Sequence, residues 1–456
     1  MGYVQLRLQE EGTKIAPEIS HPVEERIIQL LRHLGIEQAH FAACMPRDWG
    51  GLVSTHPDSV SSLTLICPMG INVSALRTNT PRLLVFTGDQ GRPAEEAQRA
   101  VASVPGAALI TLRDYFSPPW ADMIADRTEE IGSAMMDFLA RIDQGRMGRA
   151  VTLAEGEGEV AGISYSVRGS GPPLVLFPLA LAPSQWQPLL AVLSTRYCTI
   201  TLGGPALGMV AHLEARAQSG YLRVVRHLID EAHLRPGEAL LEVGCGSGVL
   251  VRWLVRQTAG ANRIVGLDVN RYLLREAAVL VRKEGIEGAI ELREGDAEAL
   301  PFVDSHFDVT MSCTVLEEGD ADRMLAEFVR VTKPGGRVAV MVRSIDMPWW
   351  VNLPLRAELK TKAEGGRRLG GNVEEQGCAD ASLYRRLHQA GLVRVTMLPQ
   401  WATYAEGERL QYVQERIAAT LGPEEVNEWR EAIARAQAEG TFFIAEPFHC
   451  AVGTKP

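Results

Sequence analysis

The residues best placed to do chemistry lie in Leu240-Leu-Glu-Val-Gly-Cys-Gly-Ser-Gly-Val-Leu250. Leu240, Leu241 and Val243 around Glu242 predict a short buried strand. Gly244, Gly246 and Gly248 then remove every second side chain from the turn. Backbone without Cβ atoms can bend sharply and come close to a ligand. From Val249 to Val255 apolar residues resume at helical spacing. The glycines therefore fall in a strand-to-helix turn of an open α/β sheet, where ligands bind at the carboxyl ends of the strands. In the dinucleotide fingerprint the third glycine follows the second by three residues. Here it follows by two, and position 249 is Val. Glu242, two residues before the first glycine, would repel a pyrophosphate and attract an ammonium. Asp268, in Gly266-Leu-Asp-Val-Asn270, lies twenty residues after Gly248 and puts a carboxylate at the next strand end, suited to ribose hydroxyls. Asp296, in Glu294-Gly-Asp-Ala-Glu-Ala-Leu-Pro-Phe302, can accept from an adenine amino group.

An ammonium, a ribose and an adenine together describe S-adenosylmethionine (SAM). With these residues in view, 216–456 resembles a class I SAM-dependent methyltransferase, nearest the ubiquinone/menaquinone-biosynthesis type. The strings that carry the resemblance are Glu242-Val-Gly-Cys-Gly-Ser-Gly248, Gly266-Leu-Asp268, Gly295-Asp-Ala297, Phe307-Asp-Val-Thr-Met-Ser312 and Lys333-Pro-Gly-Gly-Arg337, in family order. The resemblance implies a Rossmann-like, seven-stranded domain. It implies cofactor contacts from Tyr221, Glu242, Gly244, Cys245, Gly246, Gly248, Asp268, Val269, Asp296, Ala297 and Ser312, with Tyr221 near the SAM carboxylate. It also implies that the loop Ser312–Glu318 faces both cofactor and acceptor. The family's Leu-Glu-His reads Leu316-Glu317-Glu318 here, so its histidine is missing.

Methyl transfer from a sulfonium is an in-line displacement, and the protein mainly positions the acceptor and excludes water. A base is needed only where the acceptor must lose a proton early. Glu317, Asp346, His388 and His449 are the candidates. Trp349 and Trp350 suggest an apolar or aromatic acceptor. Arg356 to Ala379 is basic, Gly-rich and poorly periodic, which predicts a mobile lid.

The elements that must carry these residues alternate strand and helix. Strands are expected at 240–244, 263–267, 289–293, 308–312, 337–342 and 392–398, with 441–446 and 449–453 closing the sheet. Helices are expected at 219–230, 249–257, 271–284, 320–332, 383–390 and 424–438.

Residues 1–145 also read as a wound parallel sheet, with strands at 39–44, 61–68, 82–87 and 107–112. They resemble the C-terminal half of an α/β-hydrolase through Leu34-Gly-Ile-Glu-Gln-Ala-His40, His56-Pro-Asp-Ser-Val60, Leu83–Asp89 and Asp137-Phe-Leu-Ala-Arg141. Where that family places Gly-x-Ser-x-Gly, this chain has Ala42-Ala-Cys-Met-Pro-Arg-Asp-Trp-Gly-Gly51. The acid and histidine positions are also vacant. Cys44 is a candidate replacement nucleophile, and Trp49, Tyr115, Phe116 and Trp120 are candidate pocket residues. Residues 146–215 begin with a linker. A strand at 160–168, then Gly169-Ser-Gly-Pro-Pro173 and Leu174–Pro178, resemble the start of the same family. The halves stand in swapped order. They can complete one sheet as a circular permutation, or be two hydrolase fragments in series.

Composition bounds the rest. The 456 residues call for two or three domains, and a net charge of −10 argues against nucleic acid or an anionic membrane as partner. No apolar run is long enough for a membrane span, and Met1-Gly-Tyr-Val-Gln-Leu-Arg7 reads as no signal peptide or lipidation motif. Seven scattered cysteines without a Cys-x-x-Cys pair predict reduced thiols in a cytoplasm and no metal site. The expected function is a SAM-dependent methyltransferase for a small molecule, with a non-catalytic hydrolase-like accessory domain and a homodimer as the candidate assembly. Two competing readings are an esterase with a passenger SAM domain and a SAM-binding scaffold without turnover.

Overall fold

The computed structural model describes residues 21–456, apart from 69–70, 72, 74–75, 77–81, 117–121, 145–149, 218–219 and 370–372. Trp120 lies outside the described residues. The chain divides after His212 into two compact units. Among the described residues no helix is long and apolar enough to cross a membrane.

In the first unit β1 (Ala39–Ala43), β2 (Val60–Ile66), β3 (Arg82–Gln90), β4 (Ala108–Phe116), β5 (Gly156–Val160), β6 (Ile163–Arg168), β7 (Pro173–Leu176) and β8 (Cys198–Gly203) form one sheet. Its order is β4-β3-β2-β1-β7-β8-β6-β5. β1 is the seam. It pairs in parallel with β2 on one side and with β7 on the other, His40 to Ala42 against Leu174 to Leu176. All five of its residues are buried, as a strand covered on both faces requires. The single strand expected at 160–168 is instead part of a hairpin. Ala161 (φ 50°) and Gly162 (φ 72°) make a two-residue left-handed turn between β5 and β6. That geometry matches the strand twist, and the sequence hides it because Ala is an unusual tenant of the first turn position.

In the second unit β9 (Ala239–Val243), β10 (Arg263–Asp268), β11 (Ile290–Glu294), β12 (Phe307–Cys313), β13 (Thr332–Arg343), β14 (Trp350–Val351), β15 (Val393–Tyr404) and β16 (Ile444–Thr454) form a second sheet. The order is β11-β10-β9-β12-β13-β16-β14, with β15 on the other side of β16. Seven principal strands match the Rossmann-like expectation, and the two-residue β14 is an addition. The segments expected as separate strands at 441–446 and 449–453 are one continuous strand, antiparallel to β13 and β15. Nothing breaks it, because Pro447 can stand in a strand where its missing N–H is not needed. Lys333-Pro-Gly-Gly336 lies within β13 as a register shift, with Gly335 at φ 75°.

Helices cover both faces. Tyr221–Glu231 and Val249–Gln257 bury Tyr221, Val225, Leu228 and Trp253 on one side, with Leu240, Met311 and Phe448 from the sheet. Ala321–Val331 and Ser382–Gln389 bury Leu325, Phe328, Leu383 and Leu387 on the other, with Leu241, Val340 and Val342. The parity of each strand therefore decides its chemistry: Leu241 and Val243 face one layer, Leu240 and Glu242 the other. A helix at Gly407–Ala418 was not expected from the sequence.

Candidate active site

The glycine turn leaves β9 at its carboxyl end. Gly244 (φ 78°), Gly246 (φ 54°) and Gly248 (φ 75°) all adopt the left-handed conformation that side chains resist. The amides of Gly244 and Cys245 donate to the Leu267 carbonyl at 2.7 and 3.0 Å, and Gly248 donates to the Cys245 carbonyl at 2.9 Å. Gly246 donates to Asp268 Oδ2 at 2.7 Å. Four of the loop's amides are thus taken inside the protein. A phosphate would need such donors free. The turn offers close-approach backbone rather than an anion cradle, in line with the acid that precedes it.

Asp268 is the hinge of this site. Its Oδ2 holds Gly246, and its Oδ1 accepts from Asn270 N–H at 2.8 Å. Asn270 in turn caps the helix Arg271–Lys283 through the amides of Tyr272 and Leu273. Burial raises the Asp268 pKa, and the amides of Asn270 and Gly246 pull it partly back. Each oxygen keeps lone-pair capacity for a hydroxyl donor. Val269, beside it, is 71% exposed, an unusual state for Val and the kind of apolar face a nucleobase can cover. Asp296 is exposed, with Oδ1 accepting from Glu298 N–H at 2.8 Å, and Ala297 is half-buried.

Glu242 is 1% exposed, and its Oε2 makes no hydrogen bond among the described residues. Burial, joined by the nearby Asp268 charge, pushes its carboxyl up to about 8, with Arg216 opposing. Arg216 stacks over the Tyr221 ring at 4.4 Å and donates to Thr314 Oγ1 at 3.2 Å. Tyr221 is buried, with Phe448 edge-on at 5.6 Å, and its hydroxyl has no hydrogen-bond partner among the described residues. Thr314 follows β12 directly and holds φ 61°. A β-branched residue in that conformation stores strain, of the kind found at functional sites. Thr314 lies in the loop Ser312–Glu318 that the sequence marked, although the residue itself was not singled out, and Arg216 carries no sequence signal.

Other expected site residues serve differently. Cys245 contributes backbone alone, since its buried thiol packs near Gly266 between strands. Ser312 is buried and donates to the Val243 carbonyl at 3.1 Å, tying β12 to β9. Glu317 is fully buried; its Oε1 accepts from the Arg343 amide at 2.6 Å and from Arg343 Nε at 3.3 Å. Burial raises its pKa against the pull of Arg343. Its Oε1 therefore fastens the end of β13, while its Oε2, also buried, has no hydrogen bond among the described residues. Glu318 is exposed, 3.7 Å from Arg343. His388 is exposed on its helix, against Tyr384.

Asp346 and His449 come together. His449 Nε2 lies 2.6 Å from Asp346 Oδ1, which also accepts from Ser344 Oγ at 2.8 Å. Asp346 Oδ2 accepts from Ala381 N–H at 2.9 Å. Burial would raise this carboxyl, but the bonds from Ala381, His449 and Ser344 hold it below the usual carboxylate range. His449 is 4% exposed, and its Nδ1 has no partner among the described residues.

The tryptophans part company. Trp349 is 2% exposed and packs in the core layer of Tyr221 and Phe448, with its Nε1 lacking a hydrogen bond among the described residues. Trp350 is 57% exposed, on β14 beside Phe443. The segment expected as an unstructured lid contains the short helix Ala357–Ala363. It is also fastened by backbone bonds from Glu374 to Glu317, Cys378 to Leu316 and Ile345 to Ala379.

A wound sheet with a bent, amide-satisfied glycine turn, a buried acid before it and a ribose-suited acid after it defines a nucleoside-binding Rossmann-like domain, and S-adenosylmethionine fits that donor set. Residues 241–340 match the family described as "Methyltransferase domain". The chain is 32% identical to a demethylmenaquinone methyltransferase of Lactobacillus johnsonii over 143 residues, 31% of this chain and 59% of that protein. It is 36% identical to the ubiquinone/menaquinone biosynthesis C-methyltransferase UbiE of Vibrio parahaemolyticus over 117 residues, 25% of this chain and 45% of that protein. The chain spans about half the length of such curated relatives. Among solved structures, the [4+2]-cyclase SpnF aligns at TM-score 0.34 and 24% identity, covering 51% of this chain and 80% of that one.

Proposed function

We propose that this chain is a SAM-dependent methyltransferase acting on a small molecule, as the names of its relatives suggest. The observation that carries the reading is the glycine turn. Its amides are satisfied internally, while the buried Glu242 leaves its Oε2 without a hydrogen bond among the described residues on one side and Asp268 stands ready on the other. That arrangement suits an ammonium and a ribose, and disfavours a pyrophosphate.

When bound, the cofactor supplies an electrophilic methyl group on a sulfonium. The chain's part is to bind, orient and dehydrate. Asp268 receives ribose hydroxyls, Val269 covers the base, and Glu242 with Tyr221 borders the amino-acid end. Thr314 and the loop to Glu318 face the acceptor, with the exposed Trp350 as the remaining candidate for an apolar contact. Incubation with isotopically labelled SAM and cell extract, followed by mass spectrometry, tests this reading. Appearance of a labelled small molecule supports it, and calorimetry showing preference for a nicotinamide dinucleotide overturns it.

Residues 1–145 and 146–215 are read as one circularly permuted, α/β-hydrolase-like accessory domain, ahead of the methyltransferase domain at 216–456. The support is topological. Starting the count at β5 turns the sheet order into 1-2-4-3-5-6-7-8, with the second strand alone antiparallel to its neighbours. That is the order expected of the resembled family. At the elbow position Cys44 is buried, and its thiol points to the Cys67 carbonyl at 3.4 Å. This favours packing over nucleophilic attack, so the domain is read as non-catalytic. A cytoplasmic setting, from cysteine usage, and a homodimer built through the accessory domain remain part of the reading.

A further inference from the structure

Glu242 stands out among the acids at the strand ends. Asp268 has two amide donors, Glu317 has Arg343, and Asp346 has three donors. Glu242 is 1% exposed, and its Oε2 has no hydrogen bond among the described residues. Glu317 Oε2 is unbonded there as well, but the other oxygen of Glu317 holds the Arg343 amide and guanidinium, whereas Glu242 is hydrogen-bonded to no cationic group among the described residues. An ionised carboxylate in that state is costly to keep. The groups acting on it from the surrounding elements are Asp268 from β10, Arg216 ahead of Tyr221, the Val251 backbone amide, which opposes the rise, Tyr221 itself, and the thiols of Cys245 and Cys313. Of these, Arg216 alone carries positive charge, and it is shared with the Tyr221 ring and Thr314.

We propose that Glu242 is protonated in the free protein and releases that proton when the ammonium group of the cofactor seats beside it. The inference rests on the cofactor reading above and adds a proton to its stoichiometry. Before binding, the site is a neutral carboxylic acid. Afterwards it is a carboxylate paired with the ligand ammonium, and one proton has gone to solvent. The free carboxyl, pushed up to about 8, makes the sign definite. Raising the pH ionises Glu242 in advance, so ligand affinity climbs with pH toward about 8. It falls again where the ligand ammonium loses its own proton, an α-amino group having a reference pKa of about 7.7–8.0. If the bound carboxyl titrates below pH 6, the dissociation constant of the ammonium form falls about ninefold from pH 6 to 7 and about fivefold from pH 7 to 8.

The test is calorimetry of the full chain in phosphate and in Tris at pH 7, where the difference in buffer ionisation heat counts protons. S-adenosylmethionine and S-adenosylhomocysteine both carry the ammonium, and each should release close to one proton. 5′-Methylthioadenosine lacks it and should release none. Glu242→Gln should bind with no proton release and a pH profile that is flat up to the ammonium's own titration. Independently of any variant, the infrared band of a protonated carboxyl should be present in free wild-type protein at pH 7 and vanish on binding. Binding without proton release, or release that survives in Glu242→Gln, overturns the proton inference and leaves the cofactor reading standing. Release with S-adenosylmethionine alone overturns the ammonium as its cause. No binding of either nucleoside overturns both readings.

Discussion

Gly244→Ala should separate two reasons for the glycine at the head of the turn. A Cβ there would lie 2.2 Å from Val315 Cγ2, with Val315 Cβ and Cγ1 at 3.4 and 3.5 Å. Carbon atoms rest at about 3.5–4.0 Å, so one of them must move by roughly 1.3 Å. Val315 follows β12, and its branched side chain is stiff at χ1. Forcing such a group aside costs about 1–3 kcal/mol. Gly244 also holds φ 78°, which costs an alanine about 1–2 kcal/mol more. The expected loss is about 2–5 kcal/mol. The double variant Gly244→Ala/Val315→Ala removes the collision and leaves the backbone strain. The cycle of wild type, two singles and double should show a favourable coupling of about 1–3 kcal/mol. Urea unfolding followed by fluorescence gives these values, using the transition that S-adenosylmethionine displaces. Additivity within about 0.5 kcal/mol would refute the contact. The glycine would then be there for its φ alone, and the turn and the loop after β12 would not touch as described.

Further outcomes follow from the same geometry. Asp268→Ala strips the acceptor from the amides of Gly246 and Asn270 and removes the ribose partner. Cofactor affinity should fall by at least about tenfold, from a charged hydrogen bond of about 1.5–3 kcal/mol, and an unchanged calorimetric affinity would remove Asp268 from the site. Arg409 donates to both oxygens of Glu446, which also accepts from Tyr404 at 2.8 Å, all of them buried. Arg409→Met should cost about 3–5 kcal/mol by leaving that carboxylate unpaired, measured as the loss in denaturant midpoint. In the first unit buried His40 contacts Ser62 Oγ at 2.7 Å and Asp143 Oδ1 at 3.1 Å, and burial lowers its pKa despite Asp143. A depressed folded pKa means the stabilisation is complete above the unfolded value of about 6.5 and lost as pH falls through the folded one. The wild-type urea midpoint should therefore drop below pH 6.5, and His40→Gln should flatten that limb. His449→Gln should cut turnover less than tenfold while lowering stability. A hundredfold loss of kcat at unchanged stability would instead make it the base.

Legibility followed the kind of constraint each residue answers to. Alternation and glycine spacing placed β9 to β12 within a residue or two, because a buried strand must be apolar along its length. β13 begins five residues before its expected start, since the Lys333-Pro-Gly-Gly336 turn is carried inside it as a register shift. Glu242 and Asp268 were found because an acid in such a run has no packing excuse. Turn chemistry was less visible, as the Ala161-Gly162 hairpin shows, since the left-handed residue there is not one that sequence marks. Arg216 meets Tyr221 and Thr314 through tertiary placement that no local pattern encodes. The structural part of Glu317 was hidden, because sequence shows a carboxylate but not the Arg343 amide bonded to its Oε1. The two tryptophans are the clearest case. Successive residues of an extended chain point to opposite faces, so Trp349 and Trp350 could not both line one wall. As Trp349 turns into the core, Trp350 is driven outward to 57% exposure. An apolar acceptor would then meet one indole and not a pair, and Trp350→Ala should weaken acceptor binding, read as a raised KM, while leaving cofactor affinity unchanged. An equal loss of both would place Trp350 in the packing of β14 against β16 and outside the acceptor site.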